Sequence, residues 1–271
     1  MSTTISASQV KELRDATGAG MMDCKRALEE TNGDLDAART LLRERGMASA
    51  GKRAGRETTE GLVGYIVDGG RLGSLVGVGC ETEPVSKSDE FQDFAIKVLR
   101  AVHAAGPDAV ESFEDERIEL IAKLGENIVV VGAERFEAPE GNALAAYAHP
   151  PANKIGVLVE LRGGSEELAR QLAMHISFAA PEWTTREDVP AEVVLAERSI
   201  YTNTDEVQSK PEAAREKIVD GMLNKRFFAA VPGGALVEQA WIHEPSKTVG
   251  QAMSDAGAAV VRFARISVAG S

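Results

Sequence analysis

The chain is short of cysteine, of positive charge, of long apolar runs and of reactive-residue motifs. Cys24 and Cys80 are its two cysteines among 271 residues, too few for a disulfide framework at this size. Lys and Arg total 30 against 42 Asp and Glu, a formal net charge of −12. A general nucleic-acid binder needs a cationic footprint on phosphates, so direct nucleic-acid binding is not expected. No apolar run reaches the roughly 18 residues that a membrane span requires. Met1 to Val10 has neither a basic n-region nor an apolar h-region, so the expected location is the cytoplasm.

His103, His149, His175 and His243 show no metal-ligand spacing with one another or with either cysteine. No Gly-x-Ser-x-Gly nucleophile motif occurs. Gly46-Met47-Ala48-Ser49-Ala50-Gly51-Lys52 fits the opening of a phosphate-binding P-loop. However, Arg53 stands where the Mg²⁺-binding hydroxyl belongs, and the segment follows a helix rather than a strand. Neither a cofactor nor a resident metal is expected, and the chain does not read as an enzyme.

At this length the chain should form two or three packed units, with the 44% hydrophobic and 27% charged content of an ordinary globular protein. Residues 1–47 read as three short helices. Ser6 and Gln9 form a capping box, Ile5 and Val10 a hydrophobic staple, and Thr17-Gly18-Ala19-Gly20 breaks the first helix. Met21, Cys24 and Leu28 form one stripe of the second, which stops at Asn32-Gly33. Asp34 caps the third, whose Leu35, Ala38 and Leu42 repeat until Gly46 ends it. Residues 48–60 form a tether with Lys52, Arg53 and Arg56 close together.

From Gly61 the period changes. Leu62–Val67 and Leu72–Val78 read as a hairpin across Asp68-Gly69-Gly70-Arg71, followed by a helix through Phe91, Phe94, Ala95, Val98 and Leu99 to Gly106-Pro107. The order returns: Ala143–His149 and Ile155–Leu161 form a second hairpin, and a helix runs from Ser165 to about Ala180. Tyr65, Leu72-Gly73 and Leu75-Val76 resemble Tyr147, Ile155-Gly156 and Leu158-Val159, which suggests an internal duplication. The division is 61–140 for a first core subdomain, then 141–185 with 230–271 for a second. Residues 186–229 form an inserted antiparallel helical hairpin. There Val193, Ile200 and Val207 are spaced by sevens, Ser209-Lys210-Pro211 turns the chain, and Ala214, Ile218 and Met222 follow. This hairpin should be mostly solvated. Leu236–Ile242 and Val260–Val268 read as strands around a helix near Lys247–Ala256.

Leu13-Arg14-Asp15-Ala16-Thr17-Gly18-Ala19-Gly20-Met21-Met22-Asp23-Cys24-Lys25-Arg26-Ala27-Leu28 is very similar to the N-terminal signature of the elongation factor Ts family. Ile218–Lys225 and Glu244–Gly250 also resemble family segments. The resemblance covers the whole chain. It implies an α+β fold: a ubiquitin-associated-like three-helix module, a duplicated α/β core of antiparallel sheets with helices, and an inserted coiled coil. Some family members carry a further C-terminal helical module, which is not expected here because the chain stops at Ser271, just past the last expected strand.

The implied function is guanine-nucleotide exchange on elongation factor Tu in translation elongation, with no covalent chemistry. By that resemblance, Arg14, Met21, Met22 and Lys25 meet the partner's guanine-nucleotide domain, with further contact from the second core subdomain. From pattern alone, Met21 and Met22 read as filling a small core; the resemblance favours the other reading, adaptable thioethers that cap a binding surface. His149 aligns with a family histidine implied to contact the partner, although a turn histidine is ordinarily a surface residue. Lys52 and Arg53 read as a solvated linker or as a partner contact.

Thr82-Glu83-Pro84-Val85 occupies the place of the family's Thr-Asp-Phe-Val, whose aromatic wedges into the partner while its acid disturbs the Mg²⁺ site. Glu83 and Pro84 depart from that pattern. Proline cannot match the roughly 150–250 Å² an aromatic buries, but it fixes its own φ and should push Glu83 toward an extended shape. Two other readings are a binding partner of elongation factor Tu without exchange activity, and an enzyme using Cys80 or His149.

Overall fold

A computed structural model describes residues 5–268 of the chain. The fold is α+β, with eleven α-helices and six strands among the described residues. α1 (Ala7–Thr17), α2 (Met21–Glu30) and α3 (Leu35–Arg53) come first. The Ser6 hydroxyl accepts the Gln9 N–H at 3.2 Å and the Gln9 side chain accepts the Ser6 N–H at 3.0 Å, so the capping box is formed. Gly18, at φ 67, closes α1 in the left-handed region that its missing Cβ permits. Val10, Leu13, Cys24, Ala27, Leu28 and Ala38 make one small core, with Ile5 packed against it.

Two readings of this region are corrected. Met21 is not on the buried stripe of α2, which is Cys24, Ala27 and Leu28; Met21 and Met22 are 59% and 62% exposed. Met21 opens the helix, where no neighbouring turn covers it. Gly46 does not end α3, which runs on to Arg53, so the first part of the expected tether is helical. Gly46 is buried because α3 crosses α6 (Glu114–Leu124) there: a Cβ on it would stand 3.3 Å from the Ala122 methyl. The glycine marks a close helix–helix approach rather than a stop.

Two three-stranded antiparallel sheets form the centre. The first orders β1 (Glu60–Asp68), β2 (Leu72–Cys80) and β3 (Val129–Glu137); the second orders β4 (Asn142–Ala148), β5 (Ile155–Arg162) and β6 (Ala259–Ser267). Each is a hairpin whose second strand pairs, after a helical excursion, with a third strand. Each carries an irregularity late in that last pairing, at Gly77/Val78 and at Glu160/Leu161. α5 (Asp89–Ala105) and α6 cover the outer face of the first sheet through Phe91, Phe94, Val98 and Ile121. α7 (Glu166–Ala179) and α11 (Val249–Asp255) cover the second through Leu172, Ile176, Val249 and Met253. The inner faces meet through Val63, Leu75, Leu144, Leu158 and Ile266.

That inner contact is nearly symmetric. A Cβ on Gly73 would overlap Leu144 and Leu158, while a Cβ on Gly156 would overlap Val63 and Leu75. The matched Leu-Gly and Ile-Gly pairs of the sequence are therefore the places where each sheet admits the other's leucine.

α6, β3 and the 3₁₀ turn Pro107–Phe113 had no counterpart in the sequence reading. Leu236–Glu238 is a 3₁₀ turn rather than a strand. In the 186–229 segment, α8 (Ala191–Thr202) stops before Asn203, a short α9 (Asp205–Gln208) follows, and α10 (Glu212–Met222) returns into a π-helical turn, Leu223–Phe228. These elements have their own core of Val189, Val207, Val219, Met222, Leu223 and Phe228. Ile200 is exposed and Tyr201 packs inward instead. The spacing by sevens does not run along one helix, because Val193 and Ile200 lie on α8 while Val207 lies on α9, beyond the break at Asn203.

Candidate functional site

β2 ends at Cys80, and the chain then forms the tip Thr82–Val85. Thr82 is extended (φ −131, ψ 153) and Glu83, Pro84, Val85 and Ser86 make the single turn α4. The extended residue is thus Thr82, one earlier than Pro84 led us to expect. Proline is tolerated in a first helical turn, where its missing N–H has no partner to lose. Thr82, Glu83 and Pro84 are exposed and Val85 is half-buried.

The tip rests on a bonded base. The Glu126 carboxylate accepts the Glu81 N–H at 3.1 Å and the Thr82 N–H at 3.0 Å through one oxygen. Its other oxygen accepts the Thr82 hydroxyl at 2.5 Å. In return the Glu81 carboxylate accepts the Asn127 N–H at 2.7 Å and pairs with Arg56 at 3.2 Å. The Asn127 N–H, and after it Arg56, hold the Glu81 carboxyl below the usual carboxylate range. Cys80 lies beneath, its S–H directed at the Thr82 carbonyl at 3.3 Å; burial first and the Glu126 charge second push its thiol up to about 12. A thiol so protonated is a poor nucleophile.

Glu83 pairs with Lys87 at 2.6 Å on the surface, which lowers its carboxyl. Both side chains are exposed, so water and salt screen the pair and it can open readily.

The tip shares its end of the molecule with the β4–β5 turn. Lys154 of that turn pairs with Glu60 at 2.6 Å, and the Asn153 carbonyl accepts the Val63 N–H at 2.7 Å. His149 lies there, exposed, its Nδ1 3.0 Å from the Tyr147 hydroxyl. Arg53 and Lys52 sit on the last turn of α3, Lys52 exposed and Arg53 half-buried with one Nη on the Ser49 hydroxyl. Arg14, Met21, Met22 and Lys25 are exposed on α1 and α2. The structure therefore gathers 82–85, His149 and the end of α3 at one end, and sets the α1–α2 residues on the N-terminal helices. Glu126, Asn127 and Lys154 were missed by sequence reasoning. Gly125 closing a helical run was the local signal for Glu126 and Asn127, and it said nothing of their role, since Glu126 acts 44 residues away in sequence.

Among the described residues, no group of three or more His, Cys, Asp or Glu could hold a metal, and no helix is long and apolar enough to cross a membrane. Fold and site together define a class: an α+β protein in which a helical module and a twice-repeated sheet-and-helix unit present a clamped loop to the exterior. Comparison with known proteins makes the class specific. The family model described as Elongation factor TS matches residues 81–270. The chain is 43% identical to elongation factor Ts of Thioalkalivibrio sulfidiphilus over 276 aligned positions, covering 98% of this chain and 92% of that protein. It is 44% identical to that of Shewanella amazonensis over 268 positions (97% and 90%), and 42% identical to that of Escherichia coli O139:H28 over 268 (97% and 91%). The chain belongs to the elongation factor Ts family, and its role is that of a translation elongation factor.

Proposed function

We propose that this chain is a guanine-nucleotide exchange factor for elongation factor Tu, acting in the cytoplasm without covalent chemistry of its own. It binds the GDP-loaded partner, dislodges Mg²⁺ and loosens the phosphate cradle, so that GDP leaves and GTP enters. The observation that carries this reading is the tip Thr82–Val85, anchored at its base and exposed at Thr82, Glu83 and Pro84, with its acid held only by a surface pair to Lys87, in a chain of this family. A carboxylate brought beside Mg²⁺ and phosphates competes for the cation and repels the anion. Glu83 is the group for that task once Lys87 lets go.

The remaining surfaces hold the partner. Arg14, Met21, Met22 and Lys25 meet its guanine-nucleotide domain, where two exposed thioethers adapt to an uneven apolar patch. His149, Lys52 and Arg53 add contacts nearer the tip. The units in this reading are 1–47, the 48–60 connection, core halves 61–140 and 141–185 with 230–271, and the 186–229 insertion. Thermodynamic linkage fixes the rest: if the factor weakens GDP, GDP weakens the factor equally, so the nucleotide-free partner must be preferred.

Pro84 and the Glu83–Lys87 pair favour a second reading, a partner protein that binds elongation factor Tu without exchange. Stopped-flow release of labelled GDP from elongation factor Tu separates the two. An exchange factor accelerates release in a saturable manner, whereas a binder leaves it at the intrinsic rate.

A further inference from the structure

We infer that Glu126 is the positioning residue of the tip, and that through α6 it ties the tip's placement to the N-terminal helical module. This rests on the exchange reading above and adds to it the residue that makes the loop a fixed wedge.

The need for such a residue follows from strand geometry. Past Cys80 the pairing with β1 is finished, since Glu60 is the last partner in that register. The N–H groups of Glu81 and Thr82 therefore lack a ladder, and buried or half-buried N–H groups demand acceptors. Glu126 supplies both from one oxygen and takes the threonine hydroxyl on the other. A carboxylate has the lone pairs for three such bonds on two oxygens. A glutamine can keep its oxygen on the two N–H groups and donate its N–H₂ to the threonine hydroxyl, which also accepts, so it preserves the pattern but loses the charge that strengthens these bonds.

The bonds are reciprocal. Glu126 holds Glu81 and Thr82, while Glu81 accepts from Asn127, and the Asn127 side chain donates to the Arg56 carbonyl at 2.8 Å. Two dipeptides, 81–82 and 126–127, grip each other at both ends, with Arg56 closing the third side. Glu126 follows directly on Gly125, the left-handed cap of α6 (φ 77), so the direction of α6 sets where the carboxylate points. α6 is also the helix on which α3 rests, at Gly46 against Ala122 and Ile118. Arg56 then reaches the tip from just beyond the end of α3. A partner that grips the N-terminal helices thereby acts on a frame to which the tip is bonded.

The test uses full-length Glu126→Ala and Glu126→Gln, with elongation factor Tu carrying labelled GDP, and hydrogen–deuterium exchange on the free proteins. Glu126→Ala should lower the GDP-release rate at saturating factor by about tenfold or more, with a half-saturating concentration within about twofold of wild type. Glu126→Gln should fall between, because it keeps the bonding pattern without the charge. Amides of Glu81–Lys87 should lose protection in Glu126→Ala, and less so in Glu126→Gln, while β1 and β2 keep theirs. A merely structural role would instead reduce the rate in proportion to folded fraction, or shift only the half-saturating concentration, and either result overturns the inference. Unchanged protection at 81–87 in Glu126→Ala overturns it whatever the rates. If wild type itself fails to accelerate release, the exchange reading falls, and the protection measurement still decides whether the clamp exists.

Discussion

Glu160 lies buried on β5, its carboxylate accepting from Asn142 at 2.6 Å and from the Arg262 Nε at 2.7 Å. Arg262 also lies over the Phe136 ring at 4.2 Å and donates to the Glu137 carbonyl, so one guanidinium spans both sheets. Removing the cation strands a buried charge, whereas neutralising the acid does not. Arg262 is itself partly exposed and water can reach the vacated site, so Arg262→Ala should cost about 1–3 kcal/mol of unfolding free energy, and Glu160→Gln only about 1 kcal/mol, as read from urea denaturation. At the tip the same scale of reasoning concerns Pro84. An exposed proline cannot bury what an aromatic ring buries, a deficit of roughly 1–3 kcal/mol at ~25 cal/mol per Å². Pro84→Phe should speed GDP release from elongation factor Tu between about fivefold and a hundredfold; an unchanged rate would mean that rigidity, not bulk, drives the intrusion.

Among elements, the contact between α3 and α6 is set by a missing side chain. Gly46→Val would press branched methyls against Ala122 and Ile118, costing about 1–3 kcal/mol. Limited proteolysis should then cut between α3 and β1 at a rate well above wild type, with the two sheets still protected. α7 is joined to the Leu236–Ile242 segment by His175, whose Nδ1 accepts the Ile242 N–H at 3.4 Å, leaving the Nε2–H to donate to Gln239 at 3.0 Å. Burial holds this imidazole below the ordinary histidine range. The unfolded chain therefore binds the proton first as pH falls below about 6.5, and stability present above that value is lost as pH drops. The urea midpoint should fall between pH 7.5 and 5.5 in wild type, and His175→Gln should flatten that fall.

The hairpins, α1 with its capping box, α5 and α7 were legible because each announces itself locally, by a cap, a paired glycine turn or a helical stripe. α6 and β3 were not. Ile118, Leu120 and Ile121 are interrupted by Glu119 and face two different neighbours, and β3 is paired to β2 across the whole of residues 81–128 in a register no local pattern prints. The tip could be found only because family resemblance pointed to it; its clamp could not, since Glu126 reads as one more surface acid. Gly46 misled for a related reason. A glycine inside a helix and one ending it look alike until the opposing helix is seen.

At the scale of the molecule, the two halves pack through one repeated device: a leucine on each second strand seated on the other's glycine, Leu158 over Gly73 and Leu75 over Gly156. That rigid pairing fixes β2 relative to the β4–β5 turn, and so holds the tip and His149 at one end. A rigid end is what exchange requires, because a soft wedge would yield before the partner's pocket did. The central claim is that this chain opens another protein's metal-and-phosphate pocket by preferring its empty form. Titration of nucleotide-free and of GDP·Mg²⁺-loaded elongation factor Tu with the full chain tests it most directly. The nucleotide-free form should bind at least about tenfold more tightly; equal affinity for the two, or tighter binding of the loaded form, would contradict the account.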